Sequence, residues 1–196
     1  MKKNVFKTKS EWLKARETCI TGTTIGKYIG VNSPYVSKTP EQMEKDPAVQ
    51  FGVNCENAII TLFKNLPEIA KQTLILPTTE PTLWLSDWSE CVGGSFDALA
   101  LENNVEGFCE VKSSSAGLYD LKNNIIPDTT WIQIIHYFSL NVNFQFCYLI
   151  VCSYPKWGNG GIHINWKKIL RSEITEQIKN IRMWQYKILT EKTING

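Results

Sequence analysis

The chain has 196 residues, of which 43% are hydrophobic, 20% charged and 11% aromatic, with a formal net charge of +2. This length and composition predict one globular domain with a buried core. The small net charge excludes a protein that binds nucleic acid through overall positive charge alone. Any basic binding surface must therefore be local.

The cysteines and the N-terminus bear on where the protein works. Six cysteines fall singly inside apolar segments without a CxxC spacing, which predicts reduced core residues of an intracellular protein: Cys19, Cys55, Cys91, Cys109, Cys147 and Cys152. Because there are two histidines and no clustered thiols, a structural zinc site is not expected. We expect neither a signal peptide nor a membrane span, since no sufficiently long apolar run occurs.

The first third of the chain predicts helices. Ser10 is placed to cap a helix through EWLKARE, and Thr21 or Thr23 starts a second helix that ends at Gly30. Pro40 suits the first turn of a third short helix. A longer helix, AVQFGVNCENAIITLFKNL, follows and ends at Pro67, and its apolar stripe consists of Ile59, Leu62, Phe63 and Leu66.

Strands and helices alternate in the remainder. Strands are predicted at TLIL, TLWLSD, SFDALAL and EGFCEVK, then a helix from about Thr129 through WIQIIHYFSLNV. A buried strand FQFCYLIVCS and a short strand near GIHINW come next. A C-terminal helix over about 167–192 shows an apolar stripe of Ile169, Ile174, Ile178, Ile181 and Trp184. This order predicts an α/β fold with a central mixed sheet flanked by helices.

Two of the predicted strands form a hairpin that carries acids. Asn103-Asn104 suits a two-residue turn, because asparagine tolerates the positive φ that such turns require. Asp97 then lies opposite Glu110, with Cβ atoms roughly 4.5–5.5 Å apart. The period of two places Lys112 on the same face.

This face of the hairpin has two interpretations. It is either a solvated surface with an acid–lysine pair, or a site where a divalent cation lies between the carboxylates. Leu99 and Phe108 share the face, which predicts partial burial and favours the cation. Gly93-Gly94, just before the strand, leaves room for another backbone or for a ligand.

A third acid lies on the long helix. Glu56 falls on the side of the apolar stripe, one turn after Gly52. It is either a boundary glutamate at the edge of the stripe or an inward acid that needs a partner, since an unpaired buried carboxylate is costly. Together with Asp97, Glu110 and Lys112, it favours a metal site.

These residues, in this order, resemble the PD-(D/E)XK nuclease superfamily and, more narrowly, the lambda exonuclease (YqaJ-type viral recombinase) family. The matching stretches are WLKARETCITGT, FGVNCENAIITLF, GGSFDAL, FCEVKSS and WIQIIHYFSL. They extend from Trp12 to about Ser153. Each motif alone is weak, but five in order are fairly specific. The resemblance implies a single nuclease domain over residues 1–196, with a restriction-endonuclease-like core.

The resemblance implies a role for each matching residue. Asp97 and Glu110, with the Val111 carbonyl and help from Glu56, hold Mg²⁺, for which Mn²⁺ is a possible substitute. Lys112 orients or activates the attacking water, and Gln133 orients this lysine and the water. His136 is either a phosphate contact or a satisfied helical histidine.

The resemblance also implies a pocket for a 5′-terminal phosphate, built from Arg16, Thr23 and Ser95. A guanidinium fork binds phosphate oxygens well, and free N–H groups near a helix start favour an anion. The plainer alternatives are an exposed helix charge for Arg16 and an ordinary N-cap for Thr23.

The implied activity is Mg²⁺-dependent 5′-to-3′ digestion of one strand of linear double-stranded DNA, which produces 3′ single-stranded tails for recombination. The resemblance implies a single-strand annealing protein as the partner and a homotrimeric ring as the assembly. The abundance of Asn, Ile and Lys suggests an AT-rich genome, which is compatible with a phage or virus as the source and the host cytoplasm as the location. The alternatives are an endonuclease of the same fold and a catalytically inactive DNA-binding subunit. A hydrolase that uses Cys or Ser has least support, because no nucleophile motif pairs with either histidine.

Overall fold

The computed structural model describes residues 1–31, 45–115, 119–154 and 163–194. The helices are α1 Lys9–Thr18, α2 Gly22–Tyr28, α3 Pro47–Lys64, α4 Pro67–Ala70, α5 Asp128–Leu140 and α6 Thr175–Ile194. The strands are β1 Lys2–Val5, β2 Thr73–Pro77, β3 Thr82–Leu85, β4 Gly93–Gly94, β5 Ala98–Glu102, β6 Val105–Ser115, β7 Phe146–Tyr154 and β8 His163–Leu170. Among the described helices, none is both long and apolar enough to cross a membrane.

The strands form two sheets. A five-stranded sheet has the order β2-β5-β6-β7-β8, and a three-stranded sheet has the order β1-β3-β4. Within the described strands, β6 and β7 are the one parallel pair, joined by the crossover helix α5, so the larger sheet is mixed. The predicted α/β fold with a mixed sheet flanked by helices is confirmed.

Helices cover both faces of the larger sheet. On one face, Ile59, Ile60 and Phe63 of α3 pack in a cluster with Ala98 and Cys109. On the other face, α2, α5 and α6 bury a larger cluster that includes Phe108. The hairpin β5–β6 therefore lies at the centre of the molecule, with alternate side chains directed into different cores.

The hairpin turn follows from its two asparagines. Asn103 and Asn104 adopt φ angles of 50° and 66°, the left-handed values that the turn requires. Ala98 pairs with Cys109, and Leu99 pairs with Phe108. The predicted turn and register are thus confirmed.

Helix starts were predicted less accurately. Thr8, not Ser10, caps α1, because its hydroxyl accepts from the Glu11 N–H while Glu11 reaches back to the Thr8 N–H. Thr21, one of the two predicted starts, caps α2, and the chain leaves that helix through Gly30 at φ 78°. The short helix predicted at Pro40 lies outside the described residues.

Several predicted core positions and bounds were wrong. Leu62 is exposed, whereas its neighbour Ile60 is completely buried, so the stripe of α3 is rotated from the predicted one. The segment 167–170 belongs to strand β8, not to the C-terminal helix, which begins at Thr175 after a 3₁₀ turn. Of the six cysteines, four are buried, Cys55 is half-buried and Cys91 is exposed.

Helix α5 is anchored to the C-terminal part of the chain. His136 is completely buried, and its ring nitrogens lie 2.9 Å from the Gly93 carbonyl and 2.9 Å from Nε2 of Gln185 on α6. At the C-terminal end of α5, the Arg171 guanidinium donates to the carbonyl oxygens of Phe138 and Asn141. These contacts fix the helix against both the smaller sheet and α6.

Candidate active site

The acids and the lysine of the hairpin meet at one end of β5 and β6. Lys112 Nζ lies 2.5 Å from Glu110 Oε1. The Glu110 side chain is 2% exposed, and its other oxygen, Oε2, is buried without a hydrogen-bond partner among the described residues. A buried carboxylate oxygen without a partner is costly, so this atom is a candidate ligand for a cation.

Asp97 lies beside this pair, one residue before the paired part of β5 begins. Its Oδ2 accepts a hydrogen bond of 2.6 Å from the Val111 N–H, and its own N–H donates to the Cys109 carbonyl. Asp97 therefore meets β6 through one backbone bond and one side-chain bond, just before the regular strand pairing in which the sequence placed it. This bond holds its carboxylate between Cys109 and Val111, next to Glu110.

The carboxylates of this cluster resist ionisation. Burial, then the charges of Glu110 and Glu56, raise the pKa of Asp97 well above its usual value. Burial raises the pKa of Glu110 as well, although Lys112 and Arg16 oppose this shift. Three carboxyls, those of Asp97, Glu110 and Glu56, thus interact with one ammonium, that of Lys112, and a bound cation would favour their ionised forms.

Glu56 interacts electrostatically with the residues of the cluster. It is half-buried on α3, and its pKa is raised by burial and by Glu110, while Lys112 lowers it. Helix α3 approaches β6 at Gly52, where a Cβ would lie 2.7 Å from Ser113 Oγ. The glycine thus brings the helix close enough for Glu56 to act on the hairpin acids.

Gln133 and Tyr137 extend the site onto helix α5. Lys112 Nζ donates to Gln133 Oε1 at 3.0 Å. Gln133 Nε2 donates to the Tyr137 hydroxyl at 2.6 Å, and that hydroxyl donates to the Ser95 carbonyl at 2.6 Å. The structure therefore joins Glu110, Lys112 and Gln133 by direct contacts and adds Tyr137.

Arg16 and Ser95 are connected through Trp12. The Arg16 guanidinium lies over the Trp12 ring, 4.5 Å from Cζ to the ring centroid. Trp12 Nε1 donates to Ser95 Oγ at 3.1 Å, and Ser95 Oγ itself donates to the Thr82 carbonyl at 2.6 Å. Because the charge of Arg16 lowers the pKa of Glu110, the guanidinium is within electrostatic reach of the acids.

Thr23 lies in the first turn of α2 and is exposed. The start of this helix packs on α5, since a Cβ at Gly22 would lie 3.0 Å from the Gln133 Cα. The N-cap of the helix is Thr21, so the plainer interpretation of Thr23 as an N-cap was wrong. The residue of this turn that approaches Gln133 is Gly22, which directly precedes Thr23.

His136 is a structural residue. Burial lowers its pKa to about 4, with a further contribution from the charge of Arg16. A neutral ring with hydrogen on Nε2 donates to the Gly93 carbonyl and accepts from Gln185, which satisfies both nitrogens. Of the two interpretations of this residue, the satisfied helical histidine is confirmed.

The oxygen donors of the cluster fit a hard divalent cation. No group of three or more His, Cys, Asp and Glu side chains within the described ranges is arranged to hold a metal on its own. Mg²⁺ does not need such a cage, because it is commonly bound by one or two carboxylates with waters and substrate phosphates. Asp97 and Glu110, one of them with a partnerless buried oxygen, meet this requirement.

Comparisons with known proteins concern the fold. No protein-family model matches the chain, and no curated protein sequence matches it. Among solved structures, that of an alkaline exonuclease from Laribacter hongkongensis aligns with a TM-score of 0.67 at 16% identity, over 95% of this chain and 93% of that chain. Its complex with dAMP aligns with a TM-score of 0.68 at 15% identity over the same shares. This chain therefore has the alkaline exonuclease fold.

Two residues of the candidate site were missed in the sequence. Trp12 lies one helical turn before Arg16, and Tyr137 lies one turn after Gln133. Residues four apart on a helix share a face, so each could have been found as the helical neighbour of a predicted site residue. Gly93 and Gly94 leave room for protein, not for a ligand, since Cβ atoms there would meet the Trp84 carbonyl and the Tyr137 ring.

Proposed function

We propose that the protein is a metal-dependent deoxyribonuclease that digests linear double-stranded DNA as an exonuclease. The observation that carries the proposal is the buried pair Asp97 and Glu110, with a partnerless oxygen, beside Lys112. The fold supports the proposal, because it is shared with an alkaline exonuclease, one structure of which is a complex with dAMP.

In this proposal, the carboxylates of Asp97 and Glu110 and the carbonyl of Val111 hold Mg²⁺, or Mn²⁺ as a substitute. Glu56 adds negative charge from α3. The bound ion supplies Lewis acidity toward the phosphoryl oxygen and the attacking water. Two N–H groups of the Lys112 ammonium are held by Glu110 and Gln133, which leaves the third for a phosphate oxygen or a water.

The direction of digestion depends on where the DNA end is held. We propose that Arg16, with Thr23 and Ser95, binds a 5′-terminal phosphate, so that cleavage proceeds from the 5′ end and leaves 3′ single-stranded tails. The stacking of Arg16 on Trp12 supports this role, because it holds a cation near the acids without an ion pair to any described carboxylate. Ser95 contributes position more than a free hydroxyl, since its Oγ already donates to Thr82.

The test is a time course with end-labelled DNA. With Mg²⁺, the protein should degrade 5′-phosphorylated linear duplex and leave closed circular DNA intact. Asp97→Ala and Lys112→Ala should abolish the activity, whereas Glu102→Gln, at the far end of the same hairpin, should preserve it. Undiminished digestion by the Asp97→Ala or Lys112→Ala protein would defeat the assignment.

Other outcomes identify the alternatives. Nicking of circular DNA would identify an endonuclease of the same fold. The absence of both cleavage and Mg²⁺ binding in calorimetry would identify an inactive DNA-binding subunit. For the 5′-phosphate pocket, the wild type should prefer a 5′-phosphate to a 5′-hydroxyl end, and Arg16→Gln should lose that preference without losing Mg²⁺ binding.

The biological context is also a proposal. Tails of single-stranded DNA are substrates for annealing, so a single-strand annealing protein is the proposed partner in recombination. A homotrimeric ring around DNA is the proposed assembly, and sedimentation velocity of the purified protein would test it.

A further inference from the structure

A chain of hydrogen bonds leads from the lysine of the hairpin to the loop before Asp97. It starts at Lys112 Nζ, passes through the Gln133 carboxamide and the Tyr137 hydroxyl, and ends at the Ser95 carbonyl. The donor–acceptor distances are 3.0, 2.6 and 2.6 Å. The residue between Gln133 and Ser95, Tyr137, has no assigned part in the proposed chemistry.

The polarity of this chain is fixed at its Ser95 end. A carbonyl oxygen only accepts hydrogen bonds, so the Tyr137 hydroxyl must donate its single hydrogen to the Ser95 carbonyl. Its oxygen can then only accept from Gln133. The NH₂ group of the carboxamide therefore faces Tyr137, and its oxygen faces Lys112.

Tyr137 is packed too tightly to move if the Gln133 carboxamide were flipped. The side chain is 2% exposed, and its ring packs edge-on against Phe96 and Phe108, with centroid distances of 5.9 and 5.7 Å. On the remaining side the backbone touches it, since a Cβ at Gly94 would lie 2.5 Å from its Cε1 atom. The hydroxyl is thus presented at one place by a rigid ring.

A flipped Gln133 carboxamide would remove one of the hydrogen bonds that hold Lys112. It would direct two N–H donors at the Lys112 ammonium, which itself only donates. Lys112 would then lose one of its two acceptors and would be free to turn away from the position set by Glu110 and Gln133. Correct placement of the ammonium therefore requires that the carboxamide cannot flip.

We propose that Tyr137 is a positioning residue that fixes the orientation of the Gln133 carboxamide and, through it, the direction of the Lys112 ammonium. The inference rests on the proposed nuclease function for its effect on rate, but not for its effect on the hydrogen bonds. Tyr137 acts through Gln133, so its removal should have no effect where Gln133 is already absent.

A double-mutant cycle tests the effect on rate. Tyr137→Phe keeps the ring and should lower kcat on linear duplex about 10- to 100-fold with KM for DNA unchanged, as is typical of a small misplacement of a reacting group. Tyr137→Phe added to Gln133→Ala should lower kcat no further than Gln133→Ala alone. Independent, multiplying losses would overturn the proposal.

Tyr148→Phe is the matched control. Tyr148 is also buried with a bonded hydroxyl, which donates to Glu102 at 2.8 Å on the other face of the sheet. It should show a loss of Tm similar to that of Tyr137→Phe but an unchanged kcat. An equal fall of kcat in both variants would assign the loss to general loosening of the fold and would overturn the proposal.

A second readout does not depend on nuclease activity. In metal-free protein labelled with ¹⁵N, the Lys112 ammonium of the wild type should exchange its hydrogens slowly, because two acceptors hold it. Tyr137→Phe should accelerate this exchange several-fold, and Tyr148→Phe should not. Unchanged exchange in Tyr137→Phe overturns the proposal, whereas a wild type without nuclease activity but with the expected exchange pattern overturns the proposed function alone.

Discussion

Each end of the β5–β6 hairpin carries a glutamate that is paired with a lysine, and the two glutamates differ in how completely their oxygens are hydrogen-bonded. Glu102 pairs with Lys168 of β8, and Glu110 pairs with Lys112 of β6. At the turn end, Lys168 lies 2.7 Å from both oxygens of Glu102, which also accepts from the Tyr148 hydroxyl. At the other end, Lys112 bonds one oxygen of Glu110 and the second oxygen has no partner among the described residues.

The pKa values reflect this difference. Burial alone would raise the pKa of Glu102, but hydrogen bonds from Lys168 and Tyr148 outweigh it, and the net shift is downward. Glu110 and Asp97 are shifted upward by burial. The Glu102 pair is thus a structural ion pair, whereas the Glu110 pair lies beside two further acids, Asp97 and Glu56, which a structural role does not explain.

The largest expected difference between the two ends is in activity. Glu110→Gln should lower the initial rate of linear duplex digestion about 10³-fold or more, because it removes both a charge and a ligand from the reacting centre. Glu102→Gln should leave that rate within about twofold of the wild type. Equal losses in the two variants would remove the functional distinction between the ends.

The second difference concerns stability without metal. Lys112→Met removes the ammonium group that pairs with the buried Glu110 carboxylate. It should lower the free energy of unfolding by about 3 kcal/mol at pH 7.5. Lys168→Met should lower it by about 1 kcal/mol, since that pair is partly solvated, with side chains 31% and 16% exposed.

Urea unfolding at two pH values measures both variants. At lower pH, Glu110 can take up a proton in the Lys112→Met protein, so its deficit should shrink. A deficit that stays constant from pH 7.5 to pH 5 would show that lost packing, not charge, is responsible.

A smaller effect of opposite sign is expected from Asp97→Asn. A carboxyl whose pKa is raised by folding stabilises the protein below its unfolded pKa, and this stability is lost as the pH rises through the raised value. At neutral pH, which lies above the unfolded pKa of an aspartate, the metal-free wild type has therefore lost at least part of this stability. Asp97→Asn should raise the urea unfolding free energy by about 1 kcal/mol while abolishing digestion. A loss of stability would indicate that the bond from Val111 dominates.

The smallest effect is on metal affinity. The pKa values of Glu56, Asp97 and Glu110 are raised. Protons therefore compete with a cation for these carboxylates at pH values above those at which carboxyls usually titrate. Mg²⁺ affinity measured by calorimetry should therefore increase a few-fold between pH 6.5 and pH 8, with proton release on binding. A pH-independent affinity without proton release would exclude these carboxyls as the ligands.

The hairpin was predictable from the sequence because its determinants are local. Two asparagines fix the turn, and the strand period then fixes the neighbours of Glu110 and Lys112. The cap of α1 was also available locally, since Thr8 and Glu11 form a capping box that the Ser10 assignment overlooked.

Other features depend on distant contacts. The segment 167–170 continues the periodicity of the following helix, but pairing with β7 makes it a strand. Leu62 and Ile60 are equally apolar, and which of them is buried depends on how α3 lies on the sheet. Tyr137 resembles any core aromatic until its hydroxyl is seen between Gln133 and Ser95.

The parallel pairing of β6 with β7 has a consequence for refolding. Gln133 lies on the crossover helix between these strands, 21 residues from Lys112 in sequence. A hairpin closes from its own turn, but a parallel pair requires the whole crossover to close first, which is an entropically slow event. During renaturation, the β5–β6 hairpin can therefore gather the acids early, whereas the lysine gains its amide neighbour only when the chain reversal through α5 is complete.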